Sequence, residues 1–338
     1  MTGSSTRGAS VAPAADRAPI EKIVILIPDA DPIRERLNAA FPDIEVVIGD
    51  WQDDSRAVAE ADMAIGWRIS EEALASAERL RWFHVGAAGV EHILCVPGFT
   101  DRGLILTNSS GISAPNMAEH AIALMLTFAR KLPGLFRSQS ERHWQDWYAG
   151  RDTFELGGQT VVIAGLGAIG QGIARRAKGL DMRVIGLRRS ASGPLPDGVD
   201  ELIALSDLDT ALAQADHVIN VLPFTPDTTH IFNDDRLAAM KPGSYFYNLG
   251  RGTTVDQDAL IAALKSGHIA GAGLDVTDPE PLGEESELWG MDNVFITAHT
   301  SGNSPMVRPR LIDLCVEQVR RYRDGEDLLN VVDQTQGY

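Results

Sequence analysis

A chain of 338 residues with 44% hydrophobic and 23% charged positions has the composition of a globular protein with room for two domains. Its formal net charge of −17 sets it against nucleic acid and anionic lipid. It nowhere approaches the roughly 18 consecutive apolar residues of a spanning helix, so neither nucleic acid nor a membrane is expected as a partner. Its two cysteines, Cys95 and Cys315, stand in apolar surroundings without metal-ligand spacing. Two buried thiols in a reducing cytoplasm are expected, with no disulfide and no metal.

Residues 1–19 are Ser, Ala, Gly, Thr and Pro with Arg7 and Arg17, and read as a disordered tail, not a secretory signal. A strand follows over 21–28. A helix over 31–41 has Asp31 as N-cap and Pro32 at the first helical position. Then come a strand over 44–48, a helix over 53–60, a strand over 61–67, a Ser-capped helix over 70–78 and a strand over 80–85. That last strand ends in Gly86-Ala87-Ala88-Gly89, and one more covers 104–108. Strands alternating with helices predict a parallel sheet covered on both faces. Residues 118–130 are apolar nearly all round and read as a buried helix. A Trp-rich segment follows (His143, Trp144, Trp147, Tyr148), in which both tryptophans are read as packing. Two long helices here suit a hinge or a dimer interface.

A second series begins at Thr160. Strands are predicted over 160–165, 183–189, 217–223, 244–250, 269–276 and 293–299, with helices over 169–179, 205–215, 234–240 and 256–266, forming a six-strand doubly wound sheet. A closing helix over 307–324 carries Leu311, Leu314, Cys315, Val319 and Tyr322 on one face, and is expected to return to the first domain. The first strand of this series stops at G-x-G-x-x-G (Gly165, Leu166, Gly167, Ala168, Ile169, Gly170), and a helix begins at once. The three glycines serve a tight turn, close approach of backbone to a pyrophosphate, and close helix–strand packing. The pyrophosphate would sit on the free N–H groups of the new helix.

In an open α/β sheet, ligands gather outside the carboxyl ends of the strands. Those ends here carry Asn248-Leu249-Gly250-Arg251, then Asp275 with Glu280, then His299. One Arg, one Glu and one His would converge on the rim that holds the dinucleotide. Together with Leu222-Pro223, Thr225-Pro226-Asp227-Thr228, Met240 through Gly243, Gly271 through Val276 and Glu280-Pro281-Leu282, this pattern resembles the D-isomer-specific 2-hydroxyacid dehydrogenase family over residues 21–330. The glyoxylate/hydroxypyruvate reductases are the members it is most like.

The resemblance implies two Rossmann-like doubly wound parallel-sheet domains with a cleft between them. Residues 20–110 and 301–338 would form the substrate domain and 111–300 the dinucleotide domain, in a cytoplasmic homodimer. It implies that Arg251 clamps the substrate carboxylate and carbonyl, that His299 is the proton donor and acceptor, and that Glu280 holds the imidazole and favours its charged form. Backbone groups of Ala88 and Gly89 would bind the carboxylate. Gly165 to Gly170, Arg188, Arg189, Ser190, Leu222, Pro223, Thr228, Asn248, Leu249, Gly250, Asp275 and His299 would line the cofactor. Glu91-His92 replaces the usual Asp-Asn or Asp-His after Gly89-Val90, a mild departure remote from the chemistry.

Cofactor choice is read at Arg188, where an NAD enzyme would carry an acid for the ribose hydroxyls. The segment is Arg188-Arg189-Ser190 and no carboxylate follows until Asp197. Two guanidiniums and a hydroxyl suit a 2′-phosphate, so NADP(H) is expected over NAD(H), with use of both as the competing reading. The substrate is expected to be a small 2-keto or D-2-hydroxy acid such as glyoxylate or hydroxypyruvate. Trp67, His84, Trp144 and Met306 are pocket candidates that packing would equally explain. Arg68 lacks the basic cluster a phosphorylated substrate would want, although a phosphoglycerate-type dehydrogenase stays open. So does an NAD(P)-sensing co-regulator without turnover. An S-adenosylmethionine enzyme is disfavoured by the Arg, Glu and His set.

Overall fold

The computed structural model describes residues 17–52, 55–144 and 152–337. Trp147, Tyr148 and residues 1–16 of the expected tail lie outside them. The chain divides into two compact units, Met1–Ile112 with Ser304–Tyr338, and Ser113–Asn303.

The first unit is built on β1 (Lys22–Leu26), β2 (Glu45–Ile48), β3 (Met63–Gly66), β4 (Trp82–Val85) and β5 (Ile105–Asn108), in the order β2-β1-β3-β4-β5. All the pairings are parallel. Helices α1 (Asp31–Ala40), α2 (Ser55–Val58), α3 (Glu71–Ser76) and α4 (Glu91–Leu94) connect the strands. Successive side chains of a strand face opposite ways, which divides the apolar residues between two cores. Ile23, Ile25, Ile65 and Trp82 pack with Ile33 and Leu37 of α1. Val24, Leu26, Ala64, Phe83 and Val85 pack with Leu74 and Ile93. Each of these large side chains contributes about 1.5–3 kcal/mol by leaving water. Ser70 caps α3, its side chain accepting from the Ala73 N–H. The cap of α1 is Ala30, not Asp31. Asp31 lies inside the first turn and pairs with Arg34 at 2.5 Å, where its charge still suits the positive helix end.

The second unit opens with α5 (Ala114–Ala129) and α6 (Leu132–Ser140). Its sheet comprises β6 (Thr160–Ala164), β7 (Arg183–Arg188), β8 (Glu201–Ala204), β9 (His217–Asn220), β10 (Ser244–Asn248), β11 (Ile269–Leu274) and β12 (Val294–Ile296), in the order β12-β11-β10-β9-β6-β7-β8. Between strands lie α7 (Ala168–Lys178), α8 (Leu208–Leu212), α9 (Asp234–Ala239) and α10 (Gln257–Lys265). The sheet has seven strands where six were expected. The additional one, β8, is a half-buried edge strand of four residues, too short and too exposed for an apolar run to reveal it. The expected buried helix is α5, which buries Ala118, Ala121, Leu124, Met125 and Phe128 on one face but leaves Leu126 exposed.

The final helix α11 (Val307–Asp324) belongs to the first unit. It places Leu311, Cys315, Val319 and Tyr322 against the β1–β4 core, with Tyr322 stacked on Trp82 at 5.2 Å between ring centroids. Cys315 is buried, and burial pushes its thiol up to about 12. Cys95 departs from expectation. It is exposed, because it is the C-cap of the one-turn helix α4 and not part of its buried face. Among the described residues no helix is long and apolar enough to cross a membrane.

Candidate active site

The turn from β6 into α7 is shaped by its glycines. Gly165 has φ +105°, a conformation that side chains oppose. A Cβ on Gly170 would lie 1.9 Å from the Gly165 carbonyl oxygen, so only glycine lets the helix start this close to the strand. Gly167, by contrast, faces open space. It is the N-cap of α7, and among the described residues no side chain caps that helix end. The first N–H groups of α7 therefore point outward, beside a position where a Cβ would fill the cradle. These features fit a dinucleotide pyrophosphate. Ala168 is exposed here and Ile169 half-buried, whereas the Leu166 side chain is buried against Gly186 and leaves only its backbone at the turn.

Strand β7 runs beside this turn, with Ala164 opposite Leu187 and the Gly165 N–H on the Leu187 carbonyl at 3.0 Å. Arg188 thus emerges next to the glycines. Its guanidinium folds back onto the carbonyls of Ser190 (2.7 Å) and Ser192. The hydroxyls of Ser190 and Ser192 lie 2.8 Å apart, and Arg189 and Ser190 are exposed. A compact turn carrying two cations and two hydroxyls results.

The ends of β9 and β10 are locked by a buried polar network that sequence reading missed. Asn220 and Asn248 are register partners, with Asn220 Nδ2 donating to Asn248 Oδ1 (3.0 Å) and to Thr254 Oγ1 (2.6 Å). Asn248 Oδ1 also accepts from the Gly250 N–H, while Asn248 Nδ2 and the Thr254 hydroxyl both donate to the Arg251 carbonyl. Five hydrogen bonds therefore fix the backbone that carries Arg251. A Cβ on Gly252 would lie 1.8 Å from the Thr277 carbonyl oxygen, so the Arg251 turn packs directly on the segment leading to Glu280. Asparagine is depleted in strands. One at the end of each of two apolar strands was the available signal. Leu222 and Leu249 are buried, and the Thr228 hydroxyl donates to the Pro223 carbonyl (2.8 Å).

His299 lies on the loop after β12, where both Ala298 and His299 have positive φ (43° and 54°). That strain is held by Asp275. Its carboxylate accepts from Thr297 Oγ1 (2.7 Å), from the N–H groups of Thr300 and Ser301 (3.0 and 3.1 Å) and from the Ser301 hydroxyl. Its carbonyl takes the His299 N–H (2.6 Å). The Asp275 side chain has no exposed surface. It therefore holds the loop from behind, a task beyond the cofactor contact that the resemblance implies. His120 Nε2 meets Thr297 Oγ1 at 3.0 Å and Asn116 Nδ2 donates to the Ser301 carbonyl, a second support not foreseen from sequence. His299 Nδ1 pairs with Glu280 Oε1, and both side chains are about half exposed. The carboxylate commits the Nδ1 proton and leaves Nε2 turned to other partners.

In the first unit, the loop after β4 is pinned through its carbonyls. Ser109 N–H donates to the Ala87 carbonyl (2.9 Å) and Asn108 Nδ2 to the Ala88 carbonyl (2.7 Å). In a trans peptide the N–H points opposite to the C=O, so the N–H groups of Ala88 and Gly89 face away from this anchorage. The indole of Trp67 lies against Gly86 and is partly exposed. Trp144 and Met306 are exposed, whereas His84 is fully buried and lines no surface.

Residues 122–301 match the family model described as D-isomer specific 2-hydroxyacid dehydrogenase, NAD binding domain. The chain is 37% identical to a glyoxylate reductase of Pyrococcus furiosus over 268 residues, 77% of either chain. The chain belongs to the D-isomer specific 2-hydroxyacid dehydrogenase family. It is an NAD(P)-dependent 2-hydroxyacid dehydrogenase. Solved structures agree with this dehydrogenase's fold. The NADPH-dependent glyoxylate/hydroxypyruvate reductase from Sinorhizobium meliloti, in complex with NADP and sulfate, is 30% identical with a TM-score of 0.80 over 94% of this chain and 100% of that one. A D-isomer specific 2-hydroxyacid dehydrogenase from Xanthobacter autotrophicus, in complex with NADPH and MES, is 30% identical with a TM-score of 0.81 over 95% and 100%.

Proposed function

We propose that this dehydrogenase reduces a small unphosphorylated 2-keto acid, such as glyoxylate or hydroxypyruvate, to the D-2-hydroxy acid with NADP(H) in preference to NAD(H). The observation that carries the reading is His299 held by Glu280 on a loop that Asp275 fixes. In reduction, His299 Nε2 gives its proton to the carbonyl oxygen, and Glu280 steadies the ring as it passes between its two forms. In oxidation, Nε2 takes the hydroxyl proton back. Arg251 holds the carboxylate and polarises the carbonyl, its planar fork suited to both oxygens. The outward N–H groups of Ala88 and Gly89 cradle the carboxylate. When bound, the nicotinamide supplies or receives the hydride.

NADP(H) preference rests on the Arg188-Arg189-Ser190 turn next to Gly165 and on the absence of a carboxylate before Asp197. The Sinorhizobium relative is described as NADPH-dependent. Against a phosphorylated substrate, Arg68 lies over Trp51, 5.5 Å from its ring centroid, and donates to the Trp51 carbonyl. A cytoplasmic homodimer accompanies this reading. Leu126 of α5 with Leu135 and Phe136 of α6 present apolar surface that a second copy would cover, and light scattering tests it.

The deciding experiment is steady-state kinetics with NADPH and NADH against glyoxylate, hydroxypyruvate and pyruvate. Expected is a kcat/KM at least about tenfold higher with NADPH, a difference of roughly 1.4 kcal/mol. Arg188→Asp should move the preference toward NADH. An NADH preference in the wild type refutes the cofactor assignment. Absence of turnover across a broad 2-keto acid panel refutes the reductase in favour of a sensor.

A further inference from the structure

His84, next to last in β4, has no exposed surface and is bonded through both ring nitrogens. Nδ1 is 2.8 Å from Thr107 Oγ1 and Nε2 is 3.1 Å from Ser109 Oγ. The proton directions follow from the neighbours. Trp82 Nε1 is only a donor and gives to Thr107 Oγ1 (2.8 Å), which frees the Thr107 proton for His84 Nδ1. The Ser109 hydroxyl donates to the Val85 carbonyl (2.8 Å), so its oxygen accepts from Nε2–H. One neutral tautomer satisfies every group in this chain. Burial, which pushes the imidazole down to about 4, keeps it neutral.

The chain ends on the loop where the carboxylate cradle is read. Ser109 holds the Val85 carbonyl through its hydroxyl and the Ala87 carbonyl through its N–H, while its neighbour Asn108 holds the Ala88 carbonyl. The Val85–Gly86 peptide illustrates the consequence. Its carbonyl is bound by Ser109 and its N–H points the other way, to the Gly66 carbonyl (2.9 Å). The same peptide geometry turns the N–H groups of Ala88 and Gly89, partners of the bound Ala87 and Ala88 carbonyls, away from the anchor.

We propose that His84 is a positioning residue of the reaction: by fixing the Ser109 hydroxyl it holds segment 85–89 in the orientation that presents the Ala88 and Gly89 N–H groups to the substrate carboxylate. The proposal rests on the carboxylate-cradle reading above. A histidine is needed because a single ring must accept at one edge from Thr107 and donate at the other to Ser109. An apolar side chain of this size would fill the space and leave two buried hydroxyls under-satisfied.

The test uses Ser109→Ala, His84→Asn and His84→Gln in the full-length enzyme. Asn retains an acceptor for Thr107 but does not reach Ser109, whereas the amide nitrogen of Gln matches Nε2. Losing one such hydrogen bond should raise the KM for the keto acid roughly five- to tenfold in Ser109→Ala and His84→Asn, leave the KM for the nicotinamide cofactor unchanged, and raise the inhibition constant of oxamate in parallel. His84→Gln should return the keto acid KM to within about twofold of wild type. A purely structural role would lower thermal midpoints with the keto acid KM unchanged, and that outcome overturns the proposal. Should His84→Asn fail to fold, Ser109→Ala, which deletes one oxygen, decides by the same readout. The underlying reading is tested separately by comparing pyruvate with pyruvamide in the wild type. Equal KM values sink the cradle and the proposal together. Strong discrimination with unmoved KM in both variants sinks only the role of His84.

Discussion

The strand ends of the two units work with different chemistry. At the seven-stranded sheet the strand ends carry the candidate side chains Arg251, Glu280 and His299, and the polar residues behind them hold short loops. At the five-stranded sheet the loop 86–89 displays backbone, and its side chains are methyl groups or hydrogens. Orientation of a backbone display must come entirely from behind, here from Asn108, Ser109 and, through Ser109, His84. A side-chain rim advertises its chemistry by residue type. A backbone rim is defined by what its carbonyls are tied to.

The sharpest way to break this contrast is His299→Ala. Removing the proton donor should lower kcat by about 10² to 10⁴ while NADPH affinity, measured by fluorescence titration, stays near wild type. Surviving turnover would remove His299 from its role. Next in size is Asp275→Ala, which strips the acceptor from Thr297, Thr300 and Ser301 and relaxes the positive-φ backbone at His299. It should cost about 2–4 kcal/mol in denaturant unfolding and reduce kcat more than it raises KM. An unchanged kcat would mean that the loop keeps its shape without the carboxylate.

A further test concerns pH and the buried histidines. Burial holds His84 at about 4 and does the same for His217, the latter against the opposing pull of Asp216. Unfolded histidine titrates near 6.5. Between roughly pH 6.5 and 4 the unfolded chain binds protons that the folded chain refuses, so stability is complete above this window and falls as pH drops through it. The slope approaches about 1.4 kcal/mol per pH unit for each histidine. Urea unfolding at pH 7, 5.5 and 4.5 should register the loss, and His84→Gln should flatten it. An identical slope in that variant would place the titrating group elsewhere.

Much of this was legible before any coordinates. The glycine turn and the parallel strands declare themselves because their geometry depends on residue type, and the candidate set Arg251, Glu280 and His299 was read from residue type at strand ends. Strand β8 did not, since four half-buried residues on an edge produce no apolar run. Cys95 was misread as buried because its neighbours are apolar, yet it caps a one-turn helix whose inward face is carried by Ile93. Asp275, read from sequence at the cofactor, also ties the loop behind His299, a task that sequence does not reveal because it gives the position of a carboxylate but not its hydrogen-bond partners.

The amino-acid order by itself determined the alternation of apolar strands and amphipathic helices, the glycines where a side chain would clash, and the ionisable groups brought to strand ends. These are local properties that survive in one dimension. Only the tertiary structure decided which partner each buried asparagine, serine and histidine would bind. Such bonds join residues 23 to 34 positions apart, as His84 with Thr107 and Ser109 or Asn220 with Asn248 and Thr254, and exist only once parallel strands are in register. A buried polar group must find a partner, but the identity of that partner is a fact of folding.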